Sequence, residues 1–286
     1  MSTMLKSLAG VFASLLAAAG AFAGEIVSET FRSEALGRDY KYTVYLPDAY
    51  KADKDNKRFP VLFLLHGANG DENEWVQKGG ARETLDGLIA RRQIRPMVVV
   101  MPGHTQGWWV DGAKEKAETA LLRDVMPHAA GKYRIETERK GRLIAGLSAG
   151  GGGLVNIIFK YPTLFAAAAA LSPSVYEPVP PDNSSGVRHP PFQKDGKFDA
   201  ETWKALNYTA HIEAYKKSGT IVPLYINSGD HDRFGIVVHA AVLYQRLLAH
   251  QPQALEYRVV DGDHEWMVWR DTLGDALLFM DRYLGP

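Results

Sequence analysis

Cysteine is absent from the 286 residues. That zero excludes disulfides, a thiol nucleophile, zinc–thiolate sites, iron–sulfur clusters and lipid attachment through cysteine. An excess of either charge is also missing, since 33 Lys and Arg face 33 Asp and Glu. The chain therefore offers no basic field to nucleic acid and no acidic tail. Beyond the first segment, no apolar run is long enough to cross a bilayer, and there is no internal repeat or low-complexity tract. A hydrophobic share of 46% against 23% charged residues is globular and rules out intrinsic disorder. Oxygen and nitrogen side chains must carry whatever chemistry this chain performs.

Residues 1–23 read as a secretory signal. Lys6 is the one charge, 8–18 is an apolar stretch rich in Ala and Leu, and Ala21-Phe22-Ala23 closes it with small residues at the positions a signal peptidase reads. Cleavage before Gly24 removes Lys6 and no acid, which leaves a mature charge of −1. The expectation is an exported protein, periplasmic or secreted, whose mature chain does not insert stably in a membrane.

The mature chain, 24–286, reads as one catalytic domain. Alternating or continuous apolar runs at 40–46, 59–65, 97–101, 142–145, 166–171, 221–227 and 255–260 predict strands. Helix-like stretches at 81–92, 114–130, 149–160, 236–250 and 265–283 lie between or after them. Such alternation predicts an α/β fold with a mostly parallel central sheet of about eight strands and helices on both faces. The stretch 172–219 breaks the rhythm with six prolines, including Pro173, Pro178 and Pro190. Irregular backbone of this kind lies over the surface, either as a passive excursion or as a pocket wall or lid at the carboxyl end of a strand. Within it, 199–217 predicts a helix with Trp203 on its apolar side.

Gly146-Leu147-Ser148-Ala149-Gly150 follows one predicted strand and opens a helix, the context that a G-x-S-x-G nucleophile elbow requires. The turn strains the serine, demands small neighbours, and aims the hydroxyl at the free N–H groups of the new helix. Gly151, Gly152 and Gly153 follow, a helix start that costs roughly 1 kcal/mol per glycine. Close approach to the sheet accounts for the first; the other two have no reason in the sequence. Serine needs a base held by a carboxylate, in the chain order serine, acid, histidine. Among nine histidines, His264 sits after the last predicted strand and downstream of the candidate acids. His231, a loop residue, is a lesser rival. Asp230 and Asp232 both follow the strand 221–227, either of them able to shape a turn. The developing oxyanion needs two backbone donors, the N–H of Ala149 and the N–H of Ala68 in His66-Gly67-Ala68-Asn69-Gly70. His66 itself reads as a packing and hydrogen-bonding residue at a strand end. Trp108, Trp109 and Trp266 lie on loops near the expected site and are candidate faces for a sugar ring or aryl acid, as well as ordinary packing residues.

Three stretches together, Leu64-Leu65-His66-Gly67-Ala68-Asn69-Gly70-Asp71-Glu72, Gly146-Leu147-Ser148-Ala149-Gly150-Gly151 and Gly262-Asp263-His264-Glu265-Trp266, resemble the Putative esterase family. That family groups esterase D (S-formylglutathione hydrolase), feruloyl and acetylxylan esterases, and mycolyltransferases. The resemblance covers essentially the whole mature chain and implies an α/β-hydrolase fold. It implies that the acid of a Gly-x-x-Asp segment is Asp232, in Gly229-Asp230-His231-Asp232, and that the second oxyanion donor is Ala68. Ala149 departs from the apolar, commonly methionine, residue that follows the serine in the family. The expected activity is hydrolysis of carboxylic esters through an acyl-enzyme, without a metal or organic cofactor. The expected partner is a small-molecule or carbohydrate-linked ester, with no nucleic acid. An export signal disfavours the cytosolic esterase D role and favours the feruloyl or acetylxylan branch, or a general carboxylesterase. Two other readings stand beside it, an acyltransferase of mycolyltransferase type and a non-catalytic secreted binding protein.

Overall fold

The apolar runs are continuous because each strand buries both faces, and alternate residues go to two separate cores. Val61, Phe63 and Leu65 face one core while Leu62 and Leu64 face the other; Val98 and Val100 part from Val99 and Met101 in the same way. The computed structural model describes residues 24–285, so the expected signal at 1–23 lies outside the described residues. Its strands are β1 (Glu25–Ser33), β2 (Arg38–Leu46), β3 (Val61–Leu65), β4 (Val98–Pro102), β5 (Arg142–Leu147), β6 (Ala167–Leu171), β7 (Gln193–Lys194), β8 (Lys197–Phe198), β9 (Leu224–Gly229) and β10 (Leu255–Val260). Eight of them form one sheet in the order β1-β2-β4-β3-β5-β6-β9-β10, with β2 antiparallel to both neighbours and every pair from β4 to β10 parallel.

Among the helices that frame the sheet are α1 (Ala81–Ala90), α2 (Ala149–Lys160), α3 (Ile236–Leu248) and α4 (Trp266–Asp281). Leu154, Ile157 and Ile158 of α2 and Leu243 and Leu247 of α3 pack on one face. Leu85 and Leu88 of α1 and Leu273 and Leu277 of α4 pack on the other.

Three expectations change. The edge strand β1 is not among the predicted strands, because it alternates only weakly and most of it is exposed or half-buried. The helix expected at 114–130 runs Ala117–Thr119, widens to π geometry over Ala120–Val125, and returns to α over Met126–Lys132. Pro127 has no N–H to return to the preceding turn, and the ladder ahead of it widens. The single helix expected at 199–217 is two, Ala200–Leu206 and Ile212–Lys217, with a 3₁₀ turn at Tyr208–Ala210. Trp203 is buried as expected, among Phe192, Tyr176 and Trp108. The stretch 172–219 is thus a docked, folded layer, and its strands β7 and β8 form their own hairpin outside the sheet.

Candidate active site

The carboxyl end of β5 turns abruptly into α2, and Ser148 occupies that corner at φ +52° and ψ −116°. A non-glycine residue holds this conformation only where its surroundings over-determine it. Here the Ser148 N–H donates to Leu171 O at 2.9 Å, and its carbonyl accepts from Ser174 N–H and Gly152 N–H, both at 2.9 Å. The glycines leave the room: a β-carbon at Gly150 would sit 2.5 Å from His66 O. The run that follows now has a reason. A β-carbon at Gly151 would approach Pro173 Cα to 2.9 Å, one at Gly152 would meet Ser174 O at 2.8 Å, and one at Gly153 would meet Trp109 Cβ at 2.3 Å. The first turn of α2 is wedged between the loop after β6 and the loop after β4, and only glycine fits.

Val260 pairs with Gly229 in register, so the loops after β9 and β10 leave the sheet side by side. They bring Asp232 and His264 together. His264 Nδ1 lies 2.8 Å from Asp232 Oδ2, and His264 Nε2 lies 2.9 Å from Ser148 Oγ. A carboxylate can only accept, so Nδ1 carries the proton and Nε2 presents its lone pair to the Ser148 hydroxyl. The second Asp232 oxygen, Oδ1, accepts from Phe234 N–H at 2.9 Å. All three side chains are buried. Phe234 and Trp269 stand edge-on to the imidazole at 4.9 Å each, and Trp269 Nε1 donates to Ser172 Oγ. Such an arrangement can raise the nucleophilicity of a hydroxyl and return its proton to a leaving group.

Asp230 has another task. It is exposed, accepts from Gly262 N–H at 3.1 Å, and pairs with the still more exposed His231. Neither reaches Ser148.

On the opposite side of the serine, the loop after β3 passes close, with the Cβ position of Gly67 3.4 Å from Ser148 Cβ. Trp75 Nε1 donates to Leu65 O and Trp109 Nε1 to His66 O, and a tight turn closes with Gly70 N–H on Gly67 O. These bonds fix the backbone around Ala68. Ala149 is the first residue of α2, so its N–H has no partner within the helix. His66 is buried with Nδ1 2.7 Å from Gly67 O and Nε2 2.9 Å from Gly103 O, and burial holds its pKa below the ordinary value.

The tryptophans behave as packing residues. Trp109 is inaccessible with its N–H committed to His66 O, and Trp108 is buried against His189, Phe192 and Trp203. Trp266 is half-buried, edge-on to Trp75 and Trp269, with Lys78 above its ring. Sequence reasoning missed Ser174, whose hydroxyl lies 3.4 Å from Ser148 Oγ, and also Phe234 and Trp269. No motif marks any of the three.

A family model described as Putative esterase matches residues 33–280. A relative named endo-1,4-beta-xylanase/feruloyl esterase, from Xylanibacter ruminicola, is 28% identical over 239 residues, covering 81% of this chain and 31% of that longer protein. The chain thus spans about a third of the length of the first curated relatives it matches. An acetyl esterase from Caldicellulosiruptor saccharolyticus is 23% identical over 272 residues, 90% of this chain and 98% of its own. Among solved structures, a ferulic acid esterase superposes with a TM-score of 0.76 at 27% identity, covering 92% of this chain and all of its own. An α/β-hydrolase sheet of this order, matched over nearly all of its described length, leaves one assignment: the chain belongs to the Putative esterase family.

Proposed function

We propose that the chain is an exported serine esterase, and that feruloyl or acetyl esters of carbohydrates are its substrates. The observation that carries this reading is the unbroken hydrogen-bond chain of 2.9 and 2.8 Å from the strained Ser148 through His264 to Asp232. The names of the xylanase/feruloyl esterase and acetyl esterase relatives support the acyl classes.

Ser148 Oγ attacks the ester carbonyl as His264 Nε2 takes its proton, and Asp232 stabilises the imidazolium that forms. The N–H groups of Ala149 and Ala68 receive the oxyanion. His264 then protonates the departing alcohol, and water, activated by the same imidazole, releases the acid from Ser148. Export rests on residues 1–23. Gly24 N–H donates to Asp86 Oδ1 at 3.0 Å, so cleavage before Gly24 would set the new α-ammonium beside a carboxylate.

The test is an assay of the exported protein, with Gly24 verified as its first residue, on 4-nitrophenyl acetate, methyl ferulate and acetylated xylan. S148A should lower kcat by at least about 10³-fold while leaving the fold intact. Full activity in S148A would sink the proposal. Adding a sugar alcohol separates hydrolysis from transfer, because a transferase yields a new ester in place of free acid.

A further inference from the structure

Acid and base stand on neighbouring loops, and in each loop the residue beside them is charged: Arg233 follows Asp232, and Asp263 precedes His264. These neighbours make a second contact outside the first. Asp263 Oδ1 accepts from Arg233 N–H at 2.8 Å and from His264 N–H at 2.6 Å, and its Oδ2 accepts from the Arg233 guanidinium at 3.1 Å. Another guanidinium nitrogen donates to His264 O at 2.7 Å. Both peptide groups of His264 are thereby held by one arginine, the N–H through Asp263 and the carbonyl directly. The two loops can close to this distance because Gly229 has no β-carbon, which would stand 2.2 Å from Gly262 O.

We propose that Arg233 and Asp263 are positioning residues, an outer ion-pair rung that sets the spacing of the inner Asp232–His264 rung. The inference rests on the esterase reading. An ion pair whose side chains are 57% and 33% exposed contributes little to folding stability. Its effect lies in geometry, since of four charge-assisted bonds three tie the two loops together and two end on the His264 backbone. The N–H groups of His264 and Arg233, then the guanidinium, hold the Asp263 carboxyl below the usual carboxylate range, so the rung stays ionised through neutral and mildly acid pH. A base displaced by a fraction of an ångström loses rate without losing substrate affinity.

The experiment compares wild type, R233A, R233K and D263N on 4-nitrophenyl acetate, with thermal unfolding and the rate of labelling by a fluorophosphonate measured alongside. In R233A, kcat should fall about ten-fold and labelling should slow in proportion, with KM within about two-fold and Tm close to wild type. R233K restores the charge without the fork and should recover part of the loss; D263N should be intermediate. If R233A does not fold, a kcat loss at preserved Tm in R233K or D263N supports the rung, and unchanged kcat in both overturns it. An active wild type with R233A indistinguishable overturns this inference alone, as does a kcat loss that merely follows Tm and is not relieved in R233K. A wild type that neither hydrolyses nor labels overturns the esterase reading and this inference with it.

Discussion

A β-carbon at residue 153 has nowhere to go, because the Cβ of Trp109 is 2.3 Å from the place it would occupy. At residue 131, the glycine of the helix Met126–Lys132, an added β-carbon would have nothing within 4 Å. The same substitution should therefore act in opposite directions at the two sites. G153A should destabilise the protein by about 1–3 kcal/mol through overpacking. G131A should be neutral or stabilise it by up to about 1 kcal/mol through helix propensity. Urea unfolding midpoints of the two variants decide it, and equal shifts would defeat the packing account. The strained serine and its glycines can be recognised from the sequence because a tight elbow tolerates few residue types. Distance past the strand end leans to Asp232 over Asp230, but both can cap a turn, and the family resemblance makes the choice. Arg233 and Asp263 cannot be recognised, because exposed charges follow no spacing until the loops that carry them are seen side by side.

Strands buried on both faces are the most readable elements, since an unbroken apolar run of five or six residues between turn signals fits little else. Seven of the eight sheet strands are legible from their apolar pattern, continuous or alternating. The edge strand β1 follows the opposite logic. It packs Val27 and Phe31 against one core and Ile26 against the other, and the residues it buries fully, Glu29 and Ser33, are polar, so its pattern blends into loop. The stretch 172–219 reads as irregular from its prolines, yet aromatic burial holds it down. Trp203 is its central anchor, packed on Phe192 at 4.6 Å and near Trp108 and Tyr176. The Glu177 carboxylate adds a tie, meeting Arg246 of α3 and the hydroxyl of Tyr208. W203A should cost about 3–5 kcal/mol and loosen this layer before the sheet. Amide hydrogen exchange should then accelerate across 197–217 while β5 and β6 stay protected. Uniform acceleration throughout the chain would show that the layer is not a separate unit.

For the whole molecule, stability should depend on pH through its histidines. Burial lowers the pKa of His66, His128, His189, His211 and His239 below the ordinary 6.5. Below pH 6.5 the unfolded chain takes up protons at these sites before the folded chain does, so the free energy of unfolding falls as pH falls. Glu29 extends the effect to lower pH. Its burial opposes ionisation, but Lys132 and Tyr133 outweigh that and hold its pKa below 4.5, so its contribution is lost as pH drops through the folded value. Thermal unfolding should show Tm declining steadily from pH 7 to 5 and more steeply below 4.5. A Tm that stays constant from pH 7 to 5 would contradict the histidine assignment.

Sheet order also governs timing. Ser148 leaves the ribosome 116 residues ahead of His264, and the strands that deliver Asp232 and His264 are the last two of the sheet. A nascent chain complete only through β6 already contains the whole elbow, yet its hydroxyl has no base and no reason to react. On the proposed mechanism, that hydroxyl meets its base only once β10 has paired with β9 and set His264 beside Asp232.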